Sequence, residues 1–131
     1  MADLPAPIVR TLIACEEIRP DEEDPKRISL LRITNAIRAT AYPAIRDRFA
    51  VFAVVSNGRG AGDIWIEIRE ADADKVIYAS ARQRVIFPPN PLALSGLSYR
   101  VRSLVFPRPG LYWIQLWYDG SVIADLPVVL K

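Results

Sequence analysis

Residues 111–130 read LYWIQLWYDGSVIADLPVVL and contain the strongest hairpin signal in the chain. Asp119 and Gly120 separate two apolar runs, and such an Asp-Gly pair is a strong hairpin signal because a two-residue type I′ turn needs positive φ at both positions. The stretch therefore predicts a β-hairpin with strands at 111–118 and 121–130. Pro127 predicts that the second strand lies at a sheet edge or contains a bulge, since proline cannot donate to a central ladder.

The rest of the chain repeats a period-two apolar pattern, which is the signature of strands. At residues 63–70, three isoleucines alternate with Trp65, Glu67 and Arg69, which predicts a half-buried strand. Residues 49–55 are all apolar, so both faces of this strand are apolar, which predicts a central strand with both sides covered. Further strands are predicted at 8–15, 27–35, 76–87 (one long or two short) and 98–106, and an acidic loop at 16–26.

Seven to nine strands with regular turn signals and no helix of three turns predict an all-β sandwich rather than a barrel. The 131 residues suit one domain. We expect a single domain over residues 1–131, with 1–7 as a flexible N-terminal segment. A composition that is 51% hydrophobic and 24% charged is typical of a globular protein.

The chain contains no histidine and one cysteine, Cys15. Histidine is the commonest general base and metal ligand, so its absence rules out Ser-His and Cys-His nucleophile pairs. A single cysteine forms neither an internal disulfide nor a cysteine-rich zinc site. We therefore expect no enzyme, no cofactor and no metal. Acidic residues at 16–24 leave a weak Ca²⁺ site as the alternative to a solvated loop.

The formal net charge is only +2, from 17 basic and 15 acidic residues. This is too small to predict a nucleic acid or an anionic membrane as a partner. Arginines recur at period two on two predicted strands, at Arg82, Arg84, Arg100 and Arg102. Solvation and cross-strand pairing explain them better than a phosphate-binding stripe.

Two further stretches bear on location and ligands. The first five residues carry an acid where a signal peptide carries bases, and a free cysteine suits a reducing compartment, so we expect a cytoplasmic protein. Glycine-rich residues 58–62 precede a strand and not a helix. They therefore predict a flexible hairpin loop and not a phosphate-cradling loop.

Four short motifs follow one another along the chain: Ala14-Cys15-Glu16-Glu17, Arg27-Ile28-Ser29-Leu30-Leu31, Tyr42-Pro43-Ala44 and Pro109-Gly110-Leu111-Tyr112. As a set they resemble a family of small uncharacterised bacterial proteins, a domain of unknown function with an immunoglobulin-like sandwich. The resemblance covers about residues 8–130. It implies the fold and supplies no catalytic residues. Arg32 stands where the resemblance leads us to expect a small residue such as glycine.

The Gly-Leu-Tyr step at 110–112 is similar to the tyrosine corner of sandwich domains, in which a buried tyrosine hydroxyl ties a strand to the preceding turn. If Tyr112 points inward, alternation also buries Ile114, Leu116 and Tyr118. The outward face then carries Leu111, Trp113, Gln115 and Trp117. Monomers rarely leave such an aromatic patch uncovered, so the patch favours an interface. The alternatives are that a neighbouring loop covers both rings or that the strand has the opposite orientation.

These observations favour a non-catalytic binding or assembly module that forms a homodimer or docks a protein partner through one sheet face. Trp113, Gln115 and Trp117 are the interface candidates. The alternative is a small-molecule or carbohydrate binder that uses Trp65, Trp113 or Trp117 as a stacking platform. An enzyme based on acid pairs is the least favoured class, because the acids concentrate in turns and loops.

Overall fold

The computed structural model describes residues 5–131. Within them the secondary structure is all β, in line with the predicted class. The strands are β1 (Ile8–Cys15), β2 (Glu17–Pro20), β3 (Ile28–Leu31), β4 (Ala36–Ile37), β5 (Ala44–Arg46), β6 (Phe49–Ser56), β7 (Ala61–Glu70), β8 (Lys75–Ala79), β9 (Gln83–Ile86), β10 (Leu94–Val101), β11 (Leu104–Phe106), β12 (Gly110–Tyr118) and β13 (Ser121–Leu130).

Two sheets form the sandwich. A three-stranded antiparallel sheet has the order β1-β6-β10. A six-stranded sheet has the order β4-β13-β12-β7-β8, and β9 also pairs with β7. Two small two-stranded ladders, β2-β3 and β5-β11, complete the structure. The central place predicted for residues 49–55 is confirmed, because β6 is the middle strand of its sheet.

The core lies between the two sheets and follows from the period-two pattern. Each fully buried aliphatic side chain stabilises the fold by roughly 1.5–3 kcal/mol relative to exposure. On the inner faces, side chains with almost no exposure recur at every second residue: Val51, Ala53 and Val55 on β6; Ile64, Ile66 and Ile68 on β7; Tyr112, Ile114 and Leu116 on β12.

The predicted hairpin of β12 and β13 is present, with the turn at the predicted residues, Asp119 and Gly120. Asp119 and Gly120 have φ of 46° and 89°, as a type I′ turn requires. Tyr118 and Ser121 form the closing pair. Pro127 lies opposite Trp113, on a strand whose other side pairs with β4 only at Val129 and Leu130, so the predicted edge position holds.

The strand predicted at 27–35 is shorter than expected, because β3 ends at Leu31, before Arg32. Two other strand predictions were also wrong in detail. The loop predicted at 16–26 contains β2, which pairs with β3 and places Ile18 over Cys15 and Ala50. The strand predicted at 98–106 begins at Leu94 instead and is interrupted before β11, where Ser103 has φ of 53°. Both errors have one cause: tertiary pairing overrides weak local patterns.

Two more observations concern the chain's start and Arg32. The flexible segment predicted at 1–7 lies partly outside the described residues, which begin at Pro5. Arg32 has φ of 58°, in the left-handed region that glycine adopts without steric cost. The small residue expected at this position thus has a physical reason, since a Cβ there strains the backbone.

Candidate interaction surface

Strand β12 presents its tryptophans on the outer face of the six-stranded sheet. Tyr112, Ile114 and Leu116 are fully buried in the core, whereas Trp113 and Trp117 are half-buried on the opposite side. This is the orientation predicted from the tyrosine corner. We call the outer surface formed by Trp65, Trp113, Gln115 and Trp117 the tryptophan face.

Trp65 joins the tryptophan face through the register of β7 and β12, which sets it directly opposite Trp117. The two indole rings stack with their centroids 5.8 Å apart and their planes 9° from parallel. The guanidinium carbon of Arg82 lies 4.3 Å from the centroid of the Trp65 ring, a cation–π contact. Trp65 is only 5% exposed, so it lacks the open ring face that stacking of a sugar requires.

A polar network runs beside the rings. The ring nitrogen of Trp65 donates to Glu67 Oε2 at 3.1 Å, and Arg69 Nη2 pairs with Glu67 Oε1 at 3.3 Å. Arg69 Nε donates to Gln115 Oε1 at 3.5 Å, and its Nη1 reaches Asp74 Oδ1 at 3.2 Å. These bonds hold the side chains of Glu67 and Arg69 flat against the sheet. Gln115 is therefore already engaged within the chain.

The indole N–H of Trp117 lacks a hydrogen-bond acceptor within residues 5–131. Its Nε1 is also shielded from water. An unpaired buried donor costs about 1–3 kcal/mol. The strand alternation that places the ring on this face does not by itself provide an acceptor, and sequence reasoning had no signal for this.

Apolar side chains extend the tryptophan face across neighbouring strands. Val76 on β8 and Val122 on β13 are 37% and 40% exposed. Pro127 lies opposite Trp113, and Val129 opposite Leu111; both are half-buried. Aromatic and aliphatic groups thus lie on the same sheet face as the Glu67–Arg69–Gln115 network.

The tyrosine corner fixes the strand that carries this surface. The Tyr112 hydroxyl donates to the Arg108 carbonyl at 2.6 Å and accepts from the Arg108 amide at 3.3 Å. Glu70, only 3% exposed, receives Arg108 Nε at 2.8 Å through Oε2. This hydrogen bond, together with the carboxylate charge, raises the pKa of Arg108. Burial raises the pKa of the Tyr112 hydroxyl.

Substitution of Tyr112 by phenylalanine tests the corner. We expect the free energy of unfolding to fall by about 1–2 kcal/mol, because the Arg108 carbonyl loses its donor while the ring stays packed. Urea denaturation followed by circular dichroism measures the change. Tyr78→Phe, on the half-buried inner side of β8, is the control and should change stability by less than about 0.5 kcal/mol. Equal effects of the two variants would contradict the role of the corner.

The predicted metal alternative concerns acidic residues 16–24. Two of these carboxylates bind backbone amides of their own loop: Asp21 accepts from Glu23, and Asp24 accepts from Lys26. Over residues 5–131, no three acidic or cysteine side chains come together as metal ligands.

Cys15 is buried, and burial raises the pKa of its thiol. Over the same part of the chain, no helix is long and apolar enough to cross a membrane.

The strand order defines the class of protein. In chain order, β1, β6 and β10 occupy the sheet that holds strands A, B and E of an immunoglobulin domain. Strands β7, β12 and β13 occupy the sheet that holds strands C, F and G. Strand β8 joins the second sheet as an added strand does in variable-type domains. With its tyrosine corner, the domain is an immunoglobulin-like sandwich.

The chain belongs to a family of unknown function, DUF6941, whose model matches residues 10–131. The resemblance found in the sequence to an uncharacterised family with this fold is thereby confirmed. None of the curated proteins matches the chain.

Solved structures share the architecture at low identity. A β-glucosidase from Listeria innocua is 10% identical, with a TM-score of 0.51 over 92% of this chain and 16% of that chain. A mutant of a Listeria innocua β-glucosidase in complex with laminaribiose is 10% identical, with a TM-score of 0.52 over 75% and 15%. The chain thus spans about one sixth of these enzymes' length. An immunoglobulin-like protein from Pseudomonas aeruginosa is 9% identical, with a TM-score of 0.43 over 97% and 98%.

Proposed function

We propose that this domain is a non-catalytic assembly module that forms a symmetric homodimer through the tryptophan face. One observation carries the proposal: Trp113 and Trp117 lie half-buried on the outward face of β12, and Trp65 stacks on Trp117. Tryptophan is enriched among the residues that dominate binding energy at interfaces.

The size of the face suits a dimer. Strand β12 has nine residues, and at ~3.4 Å per residue it is about 30 Å long. The neighbouring strands β13, β12, β7 and β8, each about 4.8 Å wide, span about 20 Å. The flat face is therefore about 600 Å², and side-chain relief brings it towards the ~800 Å² per partner of a standard interface.

The charges on this face suit a second copy better than a strongly charged partner. Glu67 and Arg69 neutralise each other at 3.3 Å, and Asp63 pairs with Arg84 at 3.7 Å. Asp125 lies opposite Gln115 on the neighbouring strand. Both signs are thus interspersed, so a two-fold contact that apposes identical patches need not bring like charges together.

The non-catalytic character rests on chemistry. The sequence has no histidine, and the one carboxylate buried within residues 5–131, Glu70, is bound to Arg108 beside the tyrosine corner. In that arrangement the Glu70 carboxylate binds the arginine whose backbone carbonyl accepts from the Tyr112 hydroxyl. We extend the proposal to a cytoplasmic location on the basis of the free Cys15, which suits a reducing compartment.

The double variant Trp113→Ser with Trp117→Ser tests the interface. We expect wild type to be a dimer at micromolar concentration and the variant a folded monomer, because the variant lacks the exposed indole surface that a partner would bury. Light scattering measures the mass, and circular dichroism checks folding. The matched control is Leu92→Ser with Leu94→Ser, two side chains that are 82% and 68% exposed away from this face; it should stay dimeric.

Three outcomes would contradict the homodimer. Wild type that is monomeric at high micromolar concentration lacks the interface. A control variant that dissociates as readily as the tryptophan variant places the contact elsewhere. A wild-type monomer whose tryptophan fluorescence titrates saturably with a soluble oligosaccharide, and whose Trp113→Ser variant does not, supports the carbohydrate-binding alternative instead.

A further inference from the structure

Three arginines gather at one end of the three-stranded sheet, on its outer face. The last pair of the β6–β10 ladder is Phe49 with Val101, and Arg100 lies opposite Ala50. Arg48 precedes this last pair and Arg102 follows it, so both lie just beyond the end of the ladder. All three arginines line the same cavity. We call Arg48, Arg100 and Arg102 the arginine cluster.

This placement is unfavourable in the free protein. Like charges that line one cavity repel each other. None of the three guanidinium groups has a carboxylate within 4 Å among residues 5–131. Six other arginines of the same region do have one: Arg19, Arg27, Arg32, Arg69, Arg84 and Arg108. The other five arginines of the described chain also lack one, so what distinguishes the arginine cluster is that its three members line one cavity.

The arginine cluster lines an open cavity of about 560 Å³ between the end of the sheet and the β2–β3 ladder. Buried apolar residues, among them Ile18 and Phe49, form part of its wall. Arg100 Nη2 donates to the Ile18 carbonyl at 3.1 Å, which fixes this side chain at the cavity wall and leaves its other donors available.

The acidic residues in the wall do not neutralise the cluster. Glu16 pairs with Arg32 at 3.3 Å and Glu17 pairs with Arg19 at 3.0 Å, so each has its own cation. Asp47 is the one wall carboxylate without an ion pair within the described part of the chain. Two positive charges of the cluster therefore remain uncompensated in the cavity.

We propose that this cavity binds the phosphate group of a small molecule in solution. A phosphate monoester carries about −1.5 to −2 charges at pH 7 and three acceptor oxygens, which matches the excess charge of the cluster. Guanidinium forks bind phosphate oxygens in bidentate fashion. Ser103, which lines the same cavity, adds a hydroxyl donor from a backbone held at φ of 53°. The bound anion would also remove the repulsion between Arg48 and Arg102.

Titration with pyrophosphate at constant ionic strength tests this site. We expect saturable heat in calorimetry, with a Kd of about 1 mM or tighter, and a rise in the thermal midpoint with pyrophosphate. Arg102→Gln should weaken binding at least about tenfold, since it removes a charge-assisted contact. The same variant should raise the midpoint without pyrophosphate, because it relieves the like-charge pair; a purely structural arginine would lower it.

Arg84→Gln is the control, because Arg84 pairs with Asp63 on the other sheet and should leave pyrophosphate affinity unchanged. Absence of saturable binding to wild type would overturn the proposal. So would equal loss in Arg84→Gln and Arg102→Gln, which would indicate screening by net charge alone. Acetate that binds as tightly as pyrophosphate would assign the site to carboxylates. Binding to phosphatidic acid vesicles without binding to free pyrophosphate would assign it to a membrane surface.

Discussion

Replacement of Phe106 by alanine is expected to lower the free energy of unfolding by about 3–5 kcal/mol, the usual range for a phenylalanine removed from a core. The Phe106 side chain has no exposed surface. Its ring packs edge-on against Phe49, with centroids 6.2 Å apart, and against Tyr112, with centroids 5.0 Å apart. The ring thus joins β11, β6 and β12, and its loss leaves a cavity that these strands cannot close without moving.

Phe52→Ala is the matched control for Phe106→Ala. Phe52 is half-buried on the outer face of the three-stranded sheet, so its removal opens no enclosed cavity. We expect a loss about half as large or smaller, because part of the ring already contacts water. Urea unfolding at equilibrium measures both variants. A loss below about 1 kcal/mol for Phe106→Ala would show that the site repacks, and the described contacts of the ring would then not determine stability.

Gly62→Ala is the second large effect and acts by overpacking. A Cβ built at Gly62 would overlap the ring and hydroxyl of Tyr118, a side chain that is almost fully buried and packed against Phe87 with ring centroids 6.0 Å apart. Added methyl groups in a tightly packed core cost about 1–3 kcal/mol. We expect a loss of that size in thermal or urea unfolding.

Gly96→Ala separates this overlap from general effects of replacing a strand glycine. A Cβ at Gly96 would lie 3.5 Å from the ring of Phe52, an ordinary contact. Because alanine also lowers the entropy of the unfolded chain, we expect no loss or a gain of about 0.4–1 kcal/mol. If both glycine variants lose stability equally, the overlap with Tyr118 is not the cause.

The hairpin and the orientation of β12 could be predicted because their determinants are local. Asp119 and Gly120 specify the turn by backbone conformation, and alternation from Tyr112 then assigns every side chain of the strand to one face. The same alternation predicted that Trp113 and Trp117 point outward. These predictions needed no knowledge of the partner strands.

The contact of Trp65 with Trp117 could not be predicted, because 52 positions separate the two residues and only the register of β7 and β12 brings them together. The covering of Trp65 by Arg82 depends in addition on where β8 ends. Strand β2 was missed for a related reason: in Glu17–Pro20 only Ile18 is apolar, and its pairing with β3 supplies the order that the local pattern lacks.

The four arginines at period two show the same limit in another form. The sequence indicated that each pair, Arg82 with Arg84 and Arg100 with Arg102, can share one face of its own strand. The structure assigns the first two to the edge of the six-stranded sheet, where Arg82 contacts Trp65 and Arg84 contacts Asp63. The other two lie on the three-stranded sheet beside Arg48, which the period-two pattern did not include.

Strand β10 is an edge of its sheet, because β6 is its one ladder partner. Its eight residues contain no proline, so its outer backbone groups form an open template on which another chain could polymerise. Arg100 and Arg102 at its end act as gatekeepers against such growth. Neutral residues at these positions are therefore expected to favour aggregation along the β10 edge, in addition to weakening the proposed phosphate binding. The same two side chains would then serve both the edge and the cavity.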